Sequence, residues 1–169
     1  MYYAHSTKNP DKSDWQELKT HLTNVAELSQ QFADNFNAGE LAYTSGLLHD
    51  LGKYSAEFQK RLEGKDIRVD HSTAGAKEAT KIFNNDLQPA GILSAYLIAG
   101  HHGGLMNYGS IEGGLCERLH KAGLPDFSAY QKELQIDNHK EIRFNLKAKK
   151  KSSRFLFFLF HTNVVFLSC

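Results

Sequence analysis

Cysteine is scarce in this 169-residue chain: Cys116 and the terminal Cys169 are the only two, with no CxxC pair. That argues against a disulfide framework or a thiolate zinc site, and fits a reducing, cytoplasmic setting. Net charge is nearly absent as well. Twenty Lys and Arg stand against 19 Asp and Glu, so overall charge neither favours nor excludes nucleic acid, and only local patches would. The N-terminal stretch MYYAHSTKNPDKSDW is polar and lacks the apolar core of a signal peptide. The apolar run from Phe155 to Cys169 is interrupted by His161, Thr162 and Asn163. It also falls short of the roughly 18 residues a membrane helix needs, so a buried last helix is expected and no membrane partner. No internal repeat, low-complexity tract or convincing strand alternation is visible, and the length suits a single domain with a real core.

What is present is helical periodicity. Ser13-Asp14-Trp15-Gln16 fits a capping box. Trp15, Leu18, Leu22, Val25, Ala26, Ser29, Phe32 and Phe36 then follow at spacings of three and four, with Gly39 as a natural stop. His21 falls on that stripe and is predicted to face the interior. Further helices are predicted over Glu40–Leu51, with His49 and Asp50 in the last turn, and over Ser55–Leu62. A charged loop over Glu63–Val69 leads to Ser72, which is expected to cap a helix reaching about Asn84. Another helix runs from Pro89 to Gly103-Gly104. A glycine-rich stretch, Leu105–Gly114, precedes shorter helices near Ile111–Ala122 and Ser128–Leu134. The expected fold class is all-α, a helical bundle.

Nine histidines are many for this length, and five of them invite a common explanation. His49-Asp50 in LLHDLGK joins an imidazole to a carboxylate that can bridge two ions. His101-His102 in AGHHGGL adds two nitrogens. His21 and His71 lie in equally suggestive surroundings. Each has an ordinary reading alone: His21 as a hydrogen-bonded core residue, His71 as part of a helix cap, His101-His102 as a helix end, His49-Asp50 as an ion pair. Together, at interior positions or helix ends of an all-helical chain, they favour a dinuclear site, because helical bundles build metal centres from facing helices. Nitrogen and carboxylate donors suit Mn, Fe, Co, Ni or Zn.

The segments WQELKTHLTNVAEL, LLHDLGK, DHSTAGA and GHHGGL resemble the HD-domain nuclease of type I CRISPR interference, a domain usually fused to a helicase. The match runs from about Trp15 to Leu105 and, more weakly, to the end. The HD pair is common to the whole HD phosphohydrolase superfamily, whereas DHSTAGA followed by GHHGGL is far more specific. The resemblance implies two divalent metal ions. His21, His49 and Asp50 hold the first, and Asp50 bridges to the second, held by His71, His101 and His102. Lys53 is implied to touch a substrate phosphate or orient water, with plain solvent exposure as the even alternative. The activity implied is metal-dependent hydrolysis of DNA, on single strands because a duplex is too bulky for a site recessed between helices. The partners implied are a CRISPR surveillance complex and a helicase supplied separately.

One departure stands out. The family carries an aspartate in the last helix, whereas this chain has His161, Thr162 and Asn163 there and no Asp or Glu after Glu141. The chain therefore reads as one HD-type domain, core about 13–169, with an incomplete last helix. The expectation is a separate subunit, a truncated product or a frame-shifted end, whose first ion binds more weakly than its second. The basic run Lys147–Arg154 reads as a solvated linker. The rival functions are an HD phosphohydrolase acting on a nucleotide or cyclic dinucleotide, and a catalytically incomplete domain that only binds metal, DNA or a CRISPR effector complex.

Overall fold

The computed structural model describes residues 1–109 and 112–136. The expected last helix, with His161, Thr162 and Asn163, and the basic run Lys147–Arg154 lie outside the described residues. The elements are β1 (Tyr3–His5), β2 (Gln16–Glu17), α1 (Leu18–Ala33), α2 (Gly39–Leu48), α3 (Ala56–Leu62), α4 (Ser72–Ile82), α5 (Gln88–Gly100), α6 (Leu115–His120) and α7 (Tyr130–Glu133). Single 3-10 turns at Asp34–Phe36, Leu51–Tyr54 and Asn85–Leu87 join several of them.

Two helix pairs make the body, α1 on α2 and α4 on α5, and α2 also packs on both α4 and α5. The reason is in the side chains. Nearly every residue of α2 is buried, apart from Glu40 and Tyr43, and α5 is apolar on most sides. Such helices are stable only when enclosed by others. One core joins Leu18, Leu22 and Ala26 of α1, Leu47 and Leu48 of α2, Ala76 and Ala79 of α4, and Ala95 and Ile98 of α5. The hydroxyls of Ser45 and Ser94 meet at 2.9 Å inside it, where α2 faces α5. Among the described residues no helix is long and apolar enough to cross a membrane.

The helical expectation holds, with corrections at the start of the chain. Ser13 does not cap α1. Its hydroxyl accepts from the Asn9 side chain, and Trp15 and Gln16 precede the helix. Gln16–Glu17 pairs antiparallel with Tyr3–His5, a ribbon too short to leave an alternation in the sequence. Trp15 leaves the predicted stripe and sets its ring edge-on to Tyr3 at 5.3 Å. The stripe also closes earlier than its spacing suggests. Ser29 and Ala33 are buried, while Phe32 and Phe36 are 38% and 40% exposed. Gly39 opens α2 instead of ending α1. The left-handed residue between them is Asn37 (φ 56°), a conformation asparagine tolerates better than most residues. Ser72 lies inside α4, and the cap is Asp70, whose carboxylate accepts from the Thr73 N–H at 3.2 Å and from the Thr73 hydroxyl at 2.9 Å.

Two glycines show how closely the motif-bearing segments approach. The Gly52 N–H donates to the His71 carbonyl at 3.2 Å, and a Cβ on Gly52 would strike the His71 backbone. A Cβ on Gly75 would run into the carbonyl oxygen of Leu48, so α4 lies directly on the end of α2. Overpacking costs about 1–3 kcal/mol. Gly75→Ala should therefore destabilise by about 2 kcal/mol or more, read as a lower urea midpoint, and wild-type stability in this variant would refute the contact.

Candidate metal centre

Helix ends decide where the chemistry goes. The last carbonyls of a helix have no intrahelical N–H partner. His49 follows α2 directly, and its Nδ1 lies 2.7 Å from the Gly46 carbonyl oxygen. His101 follows α5, and its Nδ1 lies 2.7 Å from the Ile98 carbonyl oxygen. A carbonyl only accepts, so each Nδ1 carries hydrogen, and a neutral ring then turns the lone pair of Nε2 inward. The same spacing, a histidine bonded to the carbonyl three residues back, thus orients one imidazole at the end of each of the two most enclosed helices.

Both rings aim at Asp50. This carboxylate is 3% exposed and lies just beyond α2. Its Oδ2 is 3.2 Å from His49 Nε2 and 3.4 Å from His21 Nε2. Its Oδ1 is 3.3 Å from His71 Nε2 and 3.3 Å from His101 Nε2. His102 completes the second group, with Nε2 2.8 Å from that of His71. The six residues therefore fall into two donor groups that share Asp50: His21, His49 and Asp50, and Asp50, His71, His101 and His102. Within each, the ligand atoms lie within 4.8 Å of one another. The first group is buried throughout. In the second, His71 is half-covered and His102 exposed, which leaves an approach from solvent.

The donors fit a cation. Asp50 Oδ1, His101 Nε2 and His71 Nδ1 are buried and have no hydrogen-bond partner among the described residues. Two electron-rich atoms, Oδ1 and the inward Nε2 of His101, thus face each other at 3.3 Å without a hydrogen bond between them. A buried acceptor left in this way is costly unless something positive reaches it. The helix ends add to the demand, because α2 and α5 both bring the negative ends of their dipoles here and neither has a basic residue in its last turn.

Lys53 answers part of it. Far from being solvent-exposed, it is 3% exposed, with Nζ 2.8 Å from Asp50 Oδ2 and donating to the Ala4 carbonyl at 3.1 Å. Its ammonium is committed to the carboxylate rather than projecting toward an incoming phosphate. Burial by itself would raise the Asp50 carboxyl, but the imidazoles of His49, His101 and His21 around it hold it well below the usual range. His49 is pushed down, by burial first and against the pull of Asp50. His102 is lowered to about 4, by burial and then by His101 and His71.

His5 joins the surroundings of the site without any local mark in the sequence. It sits at the end of β1 with its ring edge-on to that of His21 at 5.2 Å, and it too is lowered to about 4, by burial and then by Lys53 and His21. The ribbon brings it there by pairing β1 with the residues that lead into α1. Arg118, which braces the start of α4 together with Asp70 of DHSTAGA, is equally unmarked.

A mostly helical scaffold that buries one carboxylate between two sets of imidazoles has the makings of a metal-binding protein. The HD domain family model matches residues 18–146, and the chain belongs to that family. No curated protein matches the chain. Membership makes it a metal-dependent phosphohydrolase in the broad sense, with divalent metal as its cofactor.

The neutral imidazoles set a pH dependence. An unfolded histidine titrates near 6.5, whereas His5 and His102 titrate near 4 in the fold. Between those values the unfolded chain binds more protons, so stability rises with pH. The metal-free protein should therefore lose stability as pH falls from about 6.5 toward 4, with Asp50 adding a further loss below its ordinary range. Thermal melts from pH 8 to 4 measure this, and a flat profile across the window would contradict it.

Proposed function

We propose that this domain is a metal-dependent nuclease that hydrolyses phosphodiester bonds in single-stranded DNA, in the setting of CRISPR antiviral defence in the cytoplasm. The observation that carries the reading is the division of Asp50: each oxygen faces its own pair of imidazoles, with His102 at the open side. That arrangement suits two divalent ions sharing one carboxylate, with Mn, Fe, Co, Ni and Zn as candidates. When bound, such ions would supply Lewis acidity and activate the attacking water.

The chain's own residues contribute position and charge. His49 and His101 enter with their tautomers set by backbone carbonyls, so no reorganisation is needed to present Nε2. Lys53 fixes the Asp50 carboxylate from the buried side and leaves Oδ1 toward the second group. Its part in the reaction is to hold Asp50 in place. His102, at the exposed end, is the residue a substrate phosphate meets first.

The depth of the cluster favours a single strand. A phosphate in a flexible strand can be lowered past His102 toward Asp50, while a duplex holds its phosphates on a wide, stiff cylinder. The motifs DHSTAGA and GHHGGL support the nuclease assignment over the general phosphohydrolase, and a surveillance complex with a separate helicase would deliver the strand.

Metal-stripped protein should regain cleavage of single-stranded DNA with Mn, Fe, Co or Ni. Asp50→Ala should abolish it, and His102→Ala should reduce it by less. Removing the shared carboxylate disturbs both donor groups, whereas His102 belongs to one. Wild-type cleavage by Asp50→Ala would place the activity elsewhere.

Substrate class is decided by comparing turnover of single-stranded DNA with that of free nucleotides and cyclic dinucleotides. Preference for the polymer is expected. Preference for the small molecules would favour a nucleotide phosphohydrolase.

A further inference from the structure

Arg118 lies in α6, outside both donor groups, yet it touches the start of α4 and the end of α5. Its Nη1 donates to the Ala99 carbonyl at 2.6 Å. Its Nη2 donates to Ser72 Oγ at 3.2 Å and lies 3.5 Å from Asp70 Oδ1. Ala99 is two residues before His101, and Asp70 and Ser72 flank His71. One guanidinium therefore spans the backbone segments that carry the three imidazoles of the second group.

We propose that Arg118 is the positioning residue of that group: it sets the separation between His71 and the His101-His102 pair, and through it the affinity for the ion they share with Asp50. The inference rests on the two-ion reading above. Three features support it. First, Ala99 contributes one of the last carbonyls of α5, a helix with no basic residue in its own last turn, so the charge it needs comes from α6. Second, Asp70 is held on both sides. Oδ1 takes Arg118 and the Thr73 N–H, while Oδ2 takes the Thr73 hydroxyl and Lys121 at 2.8 Å, which leaves the residue before His71 little freedom. Third, His71 has no such carbonyl anchor of its own. Its Nδ1 is buried without a hydrogen-bond partner among the described residues, in contrast to His49 and His101. Its placement depends on the backbone around it, and Arg118 holds that backbone. Lysine cannot replace the fork, since a single ammonium lacks the planar donor pair needed to reach Asp70 and Ala99 together.

The test uses the metal-stripped full chain, titrated with Mn(II) by calorimetry and with Co(II) by visible absorption. The variants are Arg118→Lys, Arg118→Met, His71→Ala and the double variant His71→Ala/Arg118→Lys. His71→Ala identifies which ion belongs to the second group. Arg118→Lys should weaken that same ion by roughly 10–100-fold, alter its Co(II) spectrum and spare the other ion. In the His71→Ala background it should have no further effect on the ion that remains. Wild-type affinity in both Arg118 variants, or an equal loss of both ions, overturns the proposal. So does failure of both variants to fold, which would make Arg118 a general stability residue. If His71→Ala leaves both ions bound as in wild type, the two-ion reading itself fails, and that result is distinct from a failure confined to Arg118.

Discussion

A carboxylate buried among four inward imidazole nitrogens is the constraint on which the rest of this structure depends. Asp50 is almost fully enclosed at the meeting of two helix C-termini. Removing an ion from water costs several kcal/mol even after relaxation, and is tolerated only when charge and hydrogen bonds replace the lost hydration. Lys53 supplies one fixed positive charge from the buried side. The imidazoles supply polar neighbours, and His49, pushed down by burial, brings little charge, so Oδ1 and the nitrogens around it form a preorganised place for a divalent cation. Burial and helix dipoles push in the same direction.

The fold around Asp50 follows from that demand. The helices α2 and α5 are enclosed because their sequences are apolar on most sides, and enclosure brings their ends, with His49 and His101, into the interior. The first helix contributes His21 from its buried stripe, between Leu18 and Leu22. The fourth contributes His71 from the residue before it. Close backbone contact at Gly52 and Gly75 brings LLHDLGK against DHSTAGA, so that side chains far apart in sequence share one carboxylate. The β1–β2 ribbon closes the far side and carries Ala4, whose carbonyl holds Lys53, and His5, whose ring covers His21. Arg118 then ties α4 to α5 from outside.

Much of this is legible in the residues, and the exceptions have definite causes. The helices over Ser55–Leu62 and Ser72–Asn84 and the one beginning near Pro89 can be read from apolar spacing, because that spacing is local. The His49-Asp50 and His101-His102 pairs are recognisable because two donors adjacent at a helix end is a local pattern too. The ribbon is not legible, since strands of three and two residues are too short to show period-two alternation. The capping role expected of Ser13 fails because the residues after it pair with β1 before the helix begins. Ser72 and Asp70 both fit the composition of a cap for α4, and only the backbone decides that Asp70 carries it. Lys53 reads equally well as exposed or phosphate-binding. Its burial depends on Ala4 and Asp50 lying on either side of it, which no local pattern records.

The sequence by itself determined the inventory: imidazole and carboxylate donors without thiolates, at positions whose apolar spacing reads as helix ends and a helix stripe. The donors and their spacing are properties of side-chain chemistry and of position along the chain, and they belong to the chain before it folds. Only the tertiary structure decided that Asp50 divides its two oxygens between two imidazole groups, that Lys53 is inside, and that His5, Asp70 and Arg118 belong to the surroundings of the site. Those are distances between segments tens of residues apart. They are set by how closely α2, α4 and α5 pack, and packing depends on the fit of all the side chains at once.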